Sequence, residues 1–143
     1  MKRGSLVRLL ASGALLTLAV AFSSAQTVRV NIPFDFSAAG SSLAAGEYTV
    51  EGRGQTDQLL QMCNLQQHRC VFVIASQVAS RTQNDTGKLV FNRYGDQYFL
   101  SEIWSPSLVR TLPKSSSERQ LAGGSAGHVV AIVTAELAAH WGH

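Results

Sequence analysis

Charge is scarce in this sequence: its 143 residues include 12 Lys or Arg and 9 Asp or Glu, and no run of one sign forms anywhere. Without a basic cluster there is no electrostatic footprint for nucleic acid, so the expected partners do not include it. Cysteine is scarcer still. Cys63 and Cys70 are the whole complement, and the six residues between them do not make the Cys-x-x-Cys redox spacing. There is no internal repeat and no low-complexity linker. The long apolar run, Leu9 to Phe22, falls short of the roughly 20 residues that span a bilayer.

That run has a different meaning in context. Lys2, Arg3 and Arg8 flank it with positive charge, and Ser23-Ser24-Ala25 puts small residues before a cleavage point. Residues 1–25 are therefore expected to be a secretory signal peptide. No cysteine follows the run, so neither a lipid anchor nor a stable membrane anchor is expected after cleavage. Residues 26–143 then form one domain of 118 residues with a modest core. The leader takes three of the basic residues and none of the acidic ones, which leaves nine of each in the mature chain. The expected location is periplasmic or extracellular, an oxidising compartment in which Cys63 and Cys70 are a candidate disulfide across a short loop. Two free, half-buried thiols are the alternative.

From Gly87 to Trp104 the chain holds five aromatics in two strand-like runs around Tyr94-Gly95-Asp96-Gln97. Gly95 accepts positive φ and Asp96 can bond its own backbone, so this segment is expected to be a β-hairpin at the centre of the core. Before it, Val28, Val30 and Ile32 alternate with polar residues and should face inward, with Pro33 marking an edge or bulge. Ser37 to Ala45 is expected to be a loop, and Tyr48 and Val50 to share one face of a second strand. Gln58 to Cys63 is a third. Cys70 to Ala75 is a fourth, whose unbroken apolar run predicts burial on both faces. After the hairpin, Ser105-Pro106-Ser107 breaks the strand, and Ser115 with Glu118 forms a capping box for a short helix ending near Ala122. Val129 to Thr134 is a final strand. Ala135 to His143 reads as a frayed tail or a helix. The fold class is all-β, an antiparallel sandwich or a partly open barrel of about seven strands with one short helix.

Candidate chemistry is incomplete throughout. Gly123-Gly124-Ser125-Ala126-Gly127 matches the Gly-x-Ser-x-Gly pattern with His128, His140 and His143 downstream, yet helix-like sequence precedes the serine and strand-like sequence follows, the reverse of a nucleophile elbow. A hydrolase is thus the weakest of the functional alternatives. His140 and His143 offer only two imidazoles, and His68 lies between the cysteines at no zinc spacing, so no metal or other cofactor is expected. Asn84-Asp85-Thr86 matches a glycosylation acceptor but reads as a solvated turn. Glu102, in an apolar strand, is expected to pair with Arg93 across the hairpin. Arg93, Asp96 and Glu102 together form the candidate binding rim.

Several stretches resemble a family of small secreted bacterial proteins of acidobacterial type: Val30-Asn31-Ile32-Pro33-Phe34-Asp35-Phe36, Leu43 to Val50, Leu112-Pro113-Lys114-Ser115 and, most specifically, Lys88 to Leu100. The resemblance implies export and a β-rich domain and carries no catalytic residues. The expected function is a non-catalytic exported domain that binds an envelope component or a protein partner. A small-molecule carrier with a lipocalin-like barrel is the alternative.

Overall fold

A computed structural model of the chain describes residues 27–56, 58–79, 86–106, 108–124 and 127–138. The leader, Asn84, Asp85, Ser125, His140 and His143 lie outside them.

The first sheet grows from the alternating amino-terminal segment. β1 (Thr27–Ile32) buries Val28, Val30 and Ile32 as its period of two requires. It pairs antiparallel with β4 (Gly46–Arg53), placing Tyr48 and Val50 on the same inner face. β5 (Leu59–Asn64) and β6 (Arg69–Ile74) continue this sheet as a hairpin. Past Ala75 the chain passes into β7 (Ser76–Ala79), which belongs to the second sheet.

The second sheet is centred on the aromatic hairpin. β8 (Gly87–Tyr94) and β9 (Gln97–Ser105) join through Gly95 and Asp96, with Gly95 at φ 61° as the turn demands. β10 (Leu108–Thr111) links β9 to β7. On the other side of β8 runs β11 (His128–Ala138), whose first residues, His128 to Ala135, pair with β8 and whose last, Glu136 to Ala138, pair with β1. The two sheets are thus continuous at β11 and at the β6–β7 passage, and they curl over a shared core. Tyr48, Phe91, Leu60, Met62, Leu89 and Ile103 fill it and are fully buried. Phe36 packs against both Tyr48 and Phe91, with ring centres 5.3 and 5.4 Å apart.

The short strands β2 (Phe36–Ala38) and β3 (Ser41–Leu43) form a hairpin, which meets β9 in parallel at Ser37 and Phe99. In the order of paired strands β3 stands at one end and β6 at the other, and no pairing joins them among the described residues. The barrel is partly open along this seam. The helix α1 (Ser116–Ala122) begins as the capping box predicts, with the Ser115 hydroxyl accepting from the Glu118 amide at 3.2 Å.

Three expectations are corrected. Eleven strands are present among the described residues rather than about seven. β2 and β3 occupy what was expected to be a loop, and β7 and β10 are four residues each, too short for alternation to show. The carboxy-terminal segment continues as strand through Ala138 rather than turning helical at Ala135, because pairing with β8 and then β1 supplies its backbone partners. Finally, β6 is buried on one face only. Val73 points into the core, while Phe72 is 61% exposed and Ile74 69%. Among the described residues no second layer covers its sheet at these positions, so half of an apolar run faces water.

Candidate functional site

The hairpin tip brings together two of the three rim residues. Arg93 donates from Nε to the Gly95 carbonyl oxygen at 2.7 Å, lies 5.3 Å from the Tyr98 ring centre and stands 4.0 Å from the Asp96 carboxylate. Asp96 is fully exposed and lines a shallow groove of about 180 Å³ with Asp35, Ser37 and Ser42. Glu102 does not join them. Tyr94 faces Gln97 across the turn, which puts Arg93 opposite Tyr98, and Glu102 lies four residues further along β9, opposite Val90 once Ser101 has added an extra residue to that strand. The expected Arg93–Glu102 ion pair is therefore replaced by a bond from Trp104 Nε1 to Glu102 Oε2 at 2.7 Å, while the Lys88 ammonium sits 4.0 Å over the Trp104 ring.

Glu118 is the one buried carboxylate among the described residues. It accepts from Asn92 Nδ2 at 2.9 Å and from the Tyr94 hydroxyl at 3.3 Å, and Asn92 Oδ1 bonds His128 Nε2 at 2.9 Å. The network ties α1 to β8 and β11. It is a clasp for the helix, and no nucleophile stands in it.

The cysteines are joined. Cys63 and Cys70 face one another across β5 and β6 with Cα atoms 4.0 Å apart, and they form a disulfide on the outer face of the first sheet. His68 sits in the connecting turn at φ 53°, exposed. The turn is held by Asn64 Oδ1, which accepts from the amides of Gln66 and Gln67, both at 2.9 Å.

The disulfide also sets the phase of β6. Side chains alternate along a strand, so Phe72 and Ile74 emerge on the same outer face as Cys70. Backbone groups alternate too. The Ala75 amide donates to the Gln58 carbonyl at 2.9 Å, so Ala75 and Val73 direct their N–H groups toward β5. Cys70, Phe72 and Ile74 consequently aim theirs, with their carbonyls, at the free edge of β6. The short Cα separation of the cysteines agrees, since it belongs to a pair that exchanges no backbone bonds.

Against this edge lies a groove of about 420 Å³. Phe72 and Ile74 form one wall, Ala39 and Gly40 of the β2–β3 turn another, and Pro113, Lys114, Ser115 and Arg119 the rest. Lys114 and Arg119 are exposed and have no ion-pair partner among the described residues, whereas Arg29 and Arg53 on the same sheet's outer face are paired with Glu47 and Glu51. These groove residues are distant in sequence and none was singled out as a site. The usable signal was the phase of the cysteines: once Cys63 and Cys70 bridge on an outer face, residues two and four positions after Cys70 must share that face.

Compared with known proteins, the chain matches no family model, no curated protein and no solved structure.

Proposed function

We propose that this chain is an exported, non-catalytic β-domain that acts by binding, and that the groove along β6 is where it binds. The observation that carries the reading is a coincidence at one place: a strand with a free backbone edge, two large apolar side chains turned to water, and an adjoining groove with unpaired cations. Exposed apolar side chains beside free strand edges are costly features for a lone soluble domain, because they template association. The signal-like leader and the resemblance of Lys88 to Leu100 to small secreted proteins support export to the cell envelope, and the Cys63–Cys70 bridge suits an oxidising compartment. A lipocalin-like carrier needs interior space. Here the aromatic and aliphatic side chains of Tyr48, Phe91, Phe36, Met62 and Leu89 occupy the interior, which favours a surface mode.

Two measurements test this reading. Amino-terminal sequencing of the protein recovered from outside the cytoplasm should begin at Gln26, and a start at Met1 would count against export. Envelope lipid, glycan and protein fractions should be screened for a rise in melting temperature. A shift is expected from at least one, and Phe72→Thr/Ile74→Thr should remove it. If no fraction shifts the melting temperature, or if the double variant responds as the wild type does, the groove is not the binding site.

A further inference from the structure

We infer that the groove takes an extended, acidic peptide segment as an added strand on β6, its alternate side chains on Phe72 and Ile74 and its carboxylates beside Lys114 and Arg119. This rests on the reading of the groove as the binding site and names the class of its partner. Three features converge on a peptide rather than a compact small molecule. The edge-facing residues Cys70, Phe72 and Ile74 offer N–H and carbonyl groups in the spacing of a strand, and another backbone satisfies both kinds at once. The same residues turn their side chains outward, so the added strand would meet apolar pockets at every second position. The opposite end of the strand order, β3, also lacks a partner on its far side among the described residues, so an inserted segment would lie within an open seam.

The charge of the partner follows from compensation. On the outer face of the first sheet Arg29 reaches Glu47 at 2.6 Å and Arg53 reaches Glu51 at 3.2 Å, and these cations are already neutralised. Lys114 and Arg119 are not, and both line the groove. A segment bearing Asp or Glu at one end and Val, Ile or Thr in alternation gains from them, while a basic segment is repelled.

The test is selection of a phage-displayed random decapeptide library on the intact protein and, in parallel, on Lys114→Glu/Arg119→Glu. Wild type should enrich acidic sequences with alternating β-branched residues, and the charge-reversed protein should enrich basic ones. A synthetic peptide made from an acidic winner should lose about tenfold or more in affinity for the charge-reversed variant, and amide exchange at Phe72 and Ile74 should slow in its complex. Binding that ignores the charge reversal but is lost in Phe72→Thr/Ile74→Thr overturns the acidic strand while sparing the groove. Binding that ignores both pairs, or protection that falls on β11 instead, overturns both. Capture of phosphatidylglycerol vesicles at Lys114 and Arg119, with no peptide enriched, assigns the groove to an anionic lipid surface and overturns the inference.

Discussion

The hairpins β8–β9 and β5–β6 both have apolar sequences, and they use that apolarity in opposite ways. In β8–β9 the aromatic and aliphatic side chains turn inward: Phe91, Leu89 and Ile103 are fully buried, and Tyr94 and Phe99 are covered on the outer face, where Glu118 of α1 bonds the Tyr94 hydroxyl. Neighbours flank this hairpin on both sides, β11 along β8 and β2 with β10 along β9. In β5–β6, Leu60, Met62 and Val73 go inward, but Phe72 and Ile74 go out, and the outer edge of β6 has no neighbour among the described residues. The first hairpin is held by packing on both faces. The second has one packed face and compensates with a covalent bridge. A run of apolar residues in a strand reports a core only when something covers each face and each edge.

Substitutions that attack the first hairpin should therefore cost most. Phe91→Ala removes the ring that Phe34 and Phe36 pack against, at 5.0 and 5.4 Å, and should lower stability by about 3–5 kcal/mol in denaturant titrations. A small domain has little more than that to lose, so the variant is expected to populate unfolded chains at physiological temperature. In the second hairpin the largest effect should come from the bridge. Cys63→Ala/Cys70→Ala releases a loop whose ends are seven residues apart in sequence and should cost about 2.5 kcal/mol in the chain-entropy view. A thiol reductant should have a similar effect on the wild type, and amide exchange should quicken in β6 more than in β8. If β8 quickens equally, the two hairpins do not differ in the way described.

How much of this was legible in the residues follows the same division. Val28, Val30 and Ile32, then Tyr48 and Val50, declare their inner face by alternation alone, and Tyr94-Gly95-Asp96-Gln97 declares its turn by chemistry. Ser115 and Glu118 announce a helix start whose hydrogen bond is present. These are local signals, read within a few residues. What could not be read is set by distant partners. The phase of β9 beyond Leu100, and with it the pairing of Glu102 with Val90, depends on one extra residue, Ser101, that no period reveals. The exposure of Phe72 depends on what does not cover it. The groove depends on Lys114 and Arg119, before and within a helix some 40 residues later in the chain. β2 and β10 are strands because they pair with β9, and β3 and β7 because they pair in turn with β2 and β10, not because their own sequences alternate.

Ser115→Ala removes the cap of α1 and should cost about 1 kcal/mol, measured by thermal unfolding. Because Glu118 links α1 to Asn92 and Tyr94, the loss should appear as faster amide exchange near Tyr94 and leave β6 unchanged. The smallest stability effect should come from the two exposed apolar side chains of β6. Phe72→Thr/Ile74→Thr keeps the tendency to form a strand and takes away only exposed area, so stability should stay within about 0.5 kcal/mol of wild type. A loss above about 2 kcal/mol would mean that these side chains are core after all.

The binding mode depends on an unpaired backbone edge of β6 that can accept a strand. Residue-resolved amide hydrogen exchange on the intact protein tests it most directly, read at Phe72 and Ile74 against Val71 and Val73 on the same strand. Fast exchange is expected at Phe72 and Ile74, protection at Val71 and Val73, and slowing of the first pair by about tenfold or more once a selected acidic peptide is bound. Equal protection of all four residues in the free protein would contradict it.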